Sequence, residues 1–466
     1  MTIERGTPRS TTAAGSGFAL ANGGRAFRHR NYRLFFIGQL VSLVGTWMQS
    51  VAQAWLVLQL THDPLVLGLT TALNFLPVLI LGLFGGIIAD VLPKRRTLMG
   101  TQTVQMMLAF VLFGLVVTGT VQVWHIFVLA TLLGITNAVD MPTRQAFTVE
   151  MVGRGDVANA VALNSAIFNG ARIVGPAIAG LTIGFFGGNV AVAFLINGFS
   201  FLAVIIAYAA MRQEDLHAPP VMPRPKNVGE VRSQLAEGLR YVRRTDIVLL
   251  ATVTVGLVST FGMNFGVTIP ALADEVLHTD ATGYGFLMTA TGIGSLVAAL
   301  GIAFSGRSRP LLIPLGAIVL AVGLALAAVF HPFGLTILAM VLVGLGAIAM
   351  AATANTTIQL SVPDELRGRV ISVYTTVFVG STPLGGLLMG WIASAYGVPA
   401  SLAVAGIGSL VSGLLALWWL ARIQSKRGVP LATATNQRAA SPAPSGAPAT
   451  GSGDAAPGGV AAARPR

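Results

Sequence analysis

Residues 211–246, MRQEDLHAPPVMPRPKNVGEVRSQLAEGLRYVRRTD, decide the fold. They form the one long polar segment inside an otherwise apolar chain. On each side, apolar runs of helix length alternate with short polar breaks. Six precede the segment, at 34–59, 65–90, 97–118, 123–141, 158–184 and 190–210. Six follow it, at 247–271, 282–304, 311–330, 335–357, 370–394 and 399–421. About 20 helical residues cross a bilayer core, so the reading is an all-α membrane protein of twelve transmembrane helices in two six-helix halves.

Composition agrees. Of the 466 residues 54% are apolar and 10% charged, whereas a soluble domain carries about 25% charged residues; a soluble enzyme is excluded. The absence of Cys removes disulfides, thiolate catalysis and Cys-based metal sites. His62, His125, His278 and His331 share no metal-ligand spacing. No intramembrane Ser/His pair, paired carboxylates or P-loop appears, so neither an enzyme nor a cofactor is expected.

The basic residues orient the chain. Of 29 Lys and Arg, all but Arg172 fall in the two tails, in the linker 211–246, or in loops that share their side. The opposite loops carry only acids: Asp63, Asp274, Glu275 and Asp280. Positive residues mark the cytoplasmic face, so both termini are expected inside the plasma membrane. The net charge of +12 is then topology and attraction to anionic lipid, not nucleic-acid binding. Residues 1–33 lack a signal-peptide core and read as a flexible N-tail. The Ala/Pro/Gly-rich residues 422–466 read as a disordered C-tail. Within the linker, Val228–Arg244 carries Leu235, Leu239 and Val242 at helical spacing, which suits an amphipathic helix on the membrane surface.

The halves echo each other. Gly175-Pro176-Ala-Ile-Ala-Gly180 matches Thr382-Pro383-Leu-Gly385-Gly386, 207 residues later, and Lys94–Arg96 matches Arg307-Ser-Arg309. Parallel six-helix repeats with a site between them belong to major facilitators. Gly86-Ile-Ile-Ala-Asp90-Val-Leu-Pro93-Lys94-Arg95-Arg96 resembles that superfamily's signature after span two, departing from it at Val91 and Pro93. Asp140-Met-Pro142-Thr-Arg144-Gln-Ala-Phe, Glu237-Gly238-Leu-Arg240-Tyr241-Val and Pro363-Asp364-Glu365-Leu-Arg367-Gly368-Arg369-Val are similar to the subfamily of enterobactin-type siderophore exporters and macrolide-efflux proteins. Gly170 to Gly180 partly matches the span-five Gly-Pro motif of antiporters. The resemblance covers 30–425 and implies a secondary active exporter of a small amphiphile, proton-coupled and working by alternating access. An importer, a facilitator or a transporter-like sensor stays open. A monomer is expected, in the lipid bilayer.

Candidate residues follow from their burial in lipid. Gln39, Ser42, Thr46, Gln49 and Gln53 recur at steps of three and four, one polar face on span one. Thr260, Asn264 and Thr268 repeat this on span seven, and Asn137 and Asn355 add amides in spans four and ten. The resemblance implies that spans one, four, seven and ten line the path, which makes Gln39, Thr46, Gln49, Gln53, Asn137, Asn264 and Asn355 substrate-binding candidates. Arg172 lies about 16–21 Å into span five at 1.5 Å per residue, with no acid at its level. It either bonds to carbonyls and to Asn164 or Asn169, or meets an anionic group on the substrate. Trp47, beside the polar stripe, is either core packing or a stacking surface.

For gating, Asp90 with Lys94 and Arg95, and Asp364 or Glu365 with Arg367 and Arg369, read either as latches or as ordinary positive-inside loops. Asp140 pairs either with Arg144 or with Lys94 or Arg95, and is the candidate proton site. Gly175 and Pro176 permit a close approach and a bend.

Overall fold

The computed structural model describes residues 24–217, 228–305 and 309–427. Among the described residues every regular element is helical, without a strand. Spans one to three are Arg30–Thr61, Pro64–Val91 and Lys94–Val117. Spans four and five lie in one element, Val123–Phe185, and span six is Ala191–Ala209. After the linker helix Val228–Arg244, span seven comprises Asp246–Phe261 and Phe265–Ala271, closed by a π turn, Leu272–Val276. Spans eight to twelve are Ala281–Ser305, Leu312–Val329, Phe333–Ser361, Asp364–Tyr396 and Val398–Arg427.

Among the described residues, eleven elements are long and apolar enough to cross a membrane. The twelfth crossing is inside Val123–Phe185. Its 63 residues would reach about 95 Å if straight, three times the roughly 30 Å hydrocarbon core. Gly153, at φ 69 and ψ 170, turns the chain back. That backbone conformation favours glycine, and a Cβ there would lie 3.0 Å from the His217 ring.

Three boundaries differ from the sequence reading. The polar stretch 142–157 is not a loop: helix runs through Pro142 to the Gly153 turn. Span seven is not continuous, because Gly262, Met263 and Asn264 interrupt it. Span one begins at Arg30, and residues 25–29 before it are docked. Arg25 and His29 reach Asp156 at 3.2 and 3.0 Å, and the Ala26 N–H donates to Asn159 Oδ1. Tyr32 is fully buried and its hydroxyl donates to the Ala160 carbonyl. Residues 25–33 therefore belong to the folded N-half.

The Asp156 carboxyl is held below the usual range, first by its hydrogen bond to His29 and then by Arg25. A depressed carboxylate pKa contributes stability above the unfolded value of about 3.9, lost as pH falls through the folded value. Docking of residues 25–29 should thus persist through the neutral range and release only in strong acid. Hydrogen exchange of these amides should show protection unchanged between pH 8 and 6 and lost in Asp156→Asn; equal protection in the variant would overturn this.

The linker is anchored at both ends. Asn31 donates to the Arg212 carbonyl and accepts from the Arg212 N–H, at 2.8 and 3.0 Å, and the His217 N–H donates to the Glu150 carbonyl. These contacts tie 211–217 to the N-half. On the other side Arg369 pairs with Glu237, Tyr241 donates to the Ser361 carbonyl, and Val242 is buried. Residues 228–244 are thus fixed to the C-half.

The halves meet along two glycine seams. Between spans two and eleven, a Cβ at Gly68 would lie 2.4 Å from the Gly386 carbonyl oxygen, and one at Gly390 2.7 Å from the Pro64 oxygen. Between spans five and eight, Gly285 abuts the Pro176 carbonyl, Gly292 abuts Ile173, and Thr282 donates to the Gly180 carbonyl. Lipid supplies no hydrophobic drive between helices, so close backbone approach at small residues does the packing. Both seams lie toward the end of the bundle opposite Arg30 and Arg427. There Trp55 stacks on Tyr284 at 6.1 Å, and His62 comes within 3.9 Å of Asp274. The halves are closed at that end.

Candidate functional site

The polar face of span one divides by neighbour. Gly38 and Gly45 let span six approach, with a Cβ at Gly45 2.4 Å from Ser200 Oγ and 2.5 Å from Asn197 Oδ1. Gln49 lies at the edge of this contact, and its Oε1 accepts from Asn197 Nδ2 at 2.6 Å, so it joins spans one and six. Thr46 donates to the Ser42 carbonyl and is satisfied within its own helix. Gln53 is half-buried.

Gln39 points elsewhere. It lines a cavity of about 160 Å³ between spans one, four and five, with Phe35, Arg144, Thr148, Asn164 and Phe168. Gln39 is 4% exposed, yet among the described residues its Oε1 has no hydrogen-bond partner, and neither has Arg144 Nε. Buried polar atoms are normally paired, because an unmade bond costs about 1–3 kcal/mol. The cavity thus offers one acceptor and one charged donor to a ligand, with Phe35 and Phe168 in its lining.

Arg144 is itself held by Asp140, one helical turn away. Asp140 is fully buried and also accepts from Thr101 Oγ1 at 2.6 Å and Gln102 Nε2 at 2.9 Å, both on span three. The alternative partners are engaged elsewhere. Lys94 pairs with Glu150 at 2.8 Å, and Arg95 donates to the Tyr208 and Ala209 carbonyls. Asp140 therefore pairs with Arg144 and not with Lys94 or Arg95. Thr101 and Gln102 escaped the sequence reading, although the run Thr101-Gln-Thr-Val-Gln105 in an apolar span was a usable signal; Gln105 donates to Asn137 Oδ1 at 3.1 Å.

Arg172 lies one turn beyond Phe168 on span five, on the same face. Its Nη2 is buried without a partner among the described residues, and the alternative of bonding to Asn164 or Asn169 is not met: Asn164 bonds to Tyr32 and Thr148, and Asn169 donates to the Ser165 carbonyl. Phe168 packs edge-on against Trp47 at 5.8 Å. A Cβ at Gly175 would lie 2.5 Å from Trp47 Cβ, so Gly175 brings span five onto span one. Cavity, aromatic pair and Arg172 then follow one another along span five toward the closed end.

Asn264 sits at the break in span seven, 5% exposed, donating to the Thr260 carbonyl at 2.8 Å and pressed against Gly385. Asn355 accepts from Gln359 within span ten. Of the gating candidates, Arg367 pairs with Asp364 at 2.5 Å and donates to the Gln359 carbonyl, while Arg369 goes to Glu237. Asp364 therefore pairs with Arg367 and not with Arg369. The Asp90 side chain falls outside the described residues, and Lys94 serves Glu150.

Residues 23–440 match the family model described as transmembrane secretion effector. The chain is a major facilitator. It is similar to the staphyloferrin A transporter of Staphylococcus aureus (26% identity, covering 81% of this chain and 93% of the relative). It is similar also to the multidrug efflux pump Tap of Mycolicibacterium fortuitum (29%, 83% and 94%) and to the enterobactin exporter EntS of Shigella flexneri (24%, 86% and 94%). Among solved structures, a bacterial Spinster homologue in an inward-facing, unoccupied conformation superimposes with a TM-score of 0.62 at 12% identity, over 86% of this chain and 95% of that one. A peptide transporter variant gives 0.68 at 13%, over 85% and 95%. This major facilitator is a multi-pass membrane transporter and not an enzyme.

Proposed function

We propose that this major facilitator exports a small amphiphilic molecule, neutral or anionic, from the cytoplasm by alternating access, driven by inward proton flow. The termini lie on the cytoplasmic face of the plasma membrane, and the chain works as a monomer. The observation that carries the reading is the cavity between spans one, four and five, whose Gln39 Oε1 and Arg144 Nε lack partners while the halves are closed at the opposite end. That is the arrangement of a transporter ready to load from inside. The relatives named as an efflux pump and an exporter support the direction.

Substrate is held through Gln39, Arg144 and the Phe168–Trp47 pair, with Arg172 reading an anionic group deeper in. Asp140 is the proton site. Protonating it frees Arg144, and a substrate acceptor on Arg144 competes with the same carboxylate; one guanidinium thus serves both ligands in turn. Arg95, Gly175, Pro176, Asn264, Asn355, Arg367 and Arg369 contribute to conformational change.

The test uses everted vesicles of an efflux-deficient host and matched anionic and neutral amphiphiles. Accumulation should require an acidic vesicle interior and collapse with a protonophore. Arg172→Gln should slow the anionic compound more than the neutral one. Equal, undiminished transport of both by the variant sinks the role of Arg172, and uptake into intact cells sinks export.

A further inference from the structure

Away from this cavity, at the termini end of the C-half, Asp246, Trp418, Trp419, Arg422 and Ile423 enclose a hollow of about 300 Å³. Asp246 opens the span-seven helix, and Arg422 lies near the end of span twelve. Both are exposed. They carry opposite charges and share one hollow, yet no ion pair joins them or ties either to another described residue. Arg422 instead lies over the Trp418 ring, 5.4 Å from its centroid. An acid in a first helical turn is favoured by the helix dipole, which accounts for Asp246 alone. It does not account for an unpaired base facing the same space.

The hollow continues into a lipid-type surface. Val411, Leu415 and Trp418 are 48%, 56% and 60% exposed, and with Arg422 they recur at steps of four, three and four. They form one face of span twelve. Along that face the order is apolar ridge, then tryptophan, then arginine. It is the order of acyl chain, interface and headgroup in a bilayer leaflet, where tryptophan settles at headgroup level.

We propose that this hollow binds one phospholipid bearing a primary amine. The guanidinium fork of Arg422 takes the phosphate oxygens, a geometry it matches well. The ammonium donates to the Asp246 carboxylate, filling the gap between the two charges, and one acyl chain lies along Val411, Leu415 and Trp418. An ammonium carries three donors, whereas a trimethylated amine carries none, so a choline headgroup fits less well. A glycerol headgroup keeps the negative phosphate and brings no cation for Asp246. The site is separate from the transport cavity, and its occupancy does not depend on the export reading.

Native mass spectrometry of the full chain tests this, with equimolar phosphatidylethanolamine, phosphatidylcholine and phosphatidylglycerol of matched acyl chains. The wild type should retain the ethanolamine lipid over the other two by about fivefold, the scale set by exposed charge pairs. Asp246→Asn should erase that preference, and Arg422→Gln should weaken all three lipids alike. Trp418→Phe should leave the preference intact while reducing the quenching of tryptophan fluorescence by acyl-brominated lipid. Should Asp246→Asn fail to fold, Asp246→Ser gives the same readout at the same first helical position. Equal retention of the three lipids by the wild type, stronger retention of phosphatidylglycerol, or an unchanged preference in Asp246→Asn would each overturn the proposal.

Discussion

Arg144→Met should abolish efflux and destabilise the transporter, because it strands a carboxylate with no exposure at all. Asp140 would keep Thr101 and Gln102 as donors but lose its only described ion-pair partner. Removing one member of a buried pair costs about 3–5 kcal/mol, enough to lower the folded yield in a detergent melt. Asp140→Asn should melt closer to the wild type, since Arg144 reaches the cavity and keeps 25% exposure. The decisive form is Arg144→Met combined with Asp140→Asn. The pair of changes removes the stranded charge, so stability should recover by most of that cost. Efflux should not recover, because the residue proposed to alternate between carboxylate and substrate is gone. Recovery of both would reduce the pair to a structural brace and end the coupling reading.

Gly68→Leu should lock the closed end open. A Cβ at Gly68 would lie 2.4 Å from the Gly386 carbonyl oxygen and 3.3 Å from Leu387 Cα; backbone cannot move aside as a side chain can. Gly82→Leu is the control on the same span, since nothing lies within 4 Å of a Cβ there. Leucine favours helix over glycine at both positions by up to about 1 kcal/mol, so any difference is steric. The chain has no Cys, and Gln53→Cys therefore reports without background. Labelling from the side opposite the termini should rise about tenfold in Gly68→Leu, equivalent to a shift of about 1.4 kcal/mol between states, with efflux near zero. Gly82→Leu should label and transport as the parent does. If the two variants label alike, the seam between spans two and eleven does not control closure.

The sequence was most legible where one physical quantity dominates. Lipid tolerates few charges, so the crossings could be read from hydropathy alone. The Asp140–Arg144 pair was legible among its alternatives because both residues lie on one helix, four apart. Three features were not. The turn at Gly153 was hidden by Pro142, which reads as a helix end but here is carried inside a continuous helix. The break at Gly262–Asn264 interrupts an apolar run whose hydropathy is the same with or without it. Periodicity gave Gln39 and Gln49 one face, yet only Gln39 reaches the cavity. The partner that draws Gln49 away, Asn197, stands 148 residues further on. Helical spacing ranks directions around one axis; it does not say which neighbour occupies each.

The doubly anchored linker has a consequence for how the gene could be divided. Residues 211–217 are bound by side chains of the first half, and 228–244 by those of the second. Each half thus carries its own share of the connection. The peptide bonds between 217 and 228 supply proximity, raising the effective concentration of one half near the other, while recognition between the halves rests on the glycine seams. Two polypeptides made separately and divided in that interval would retain every contact described for the joined chain.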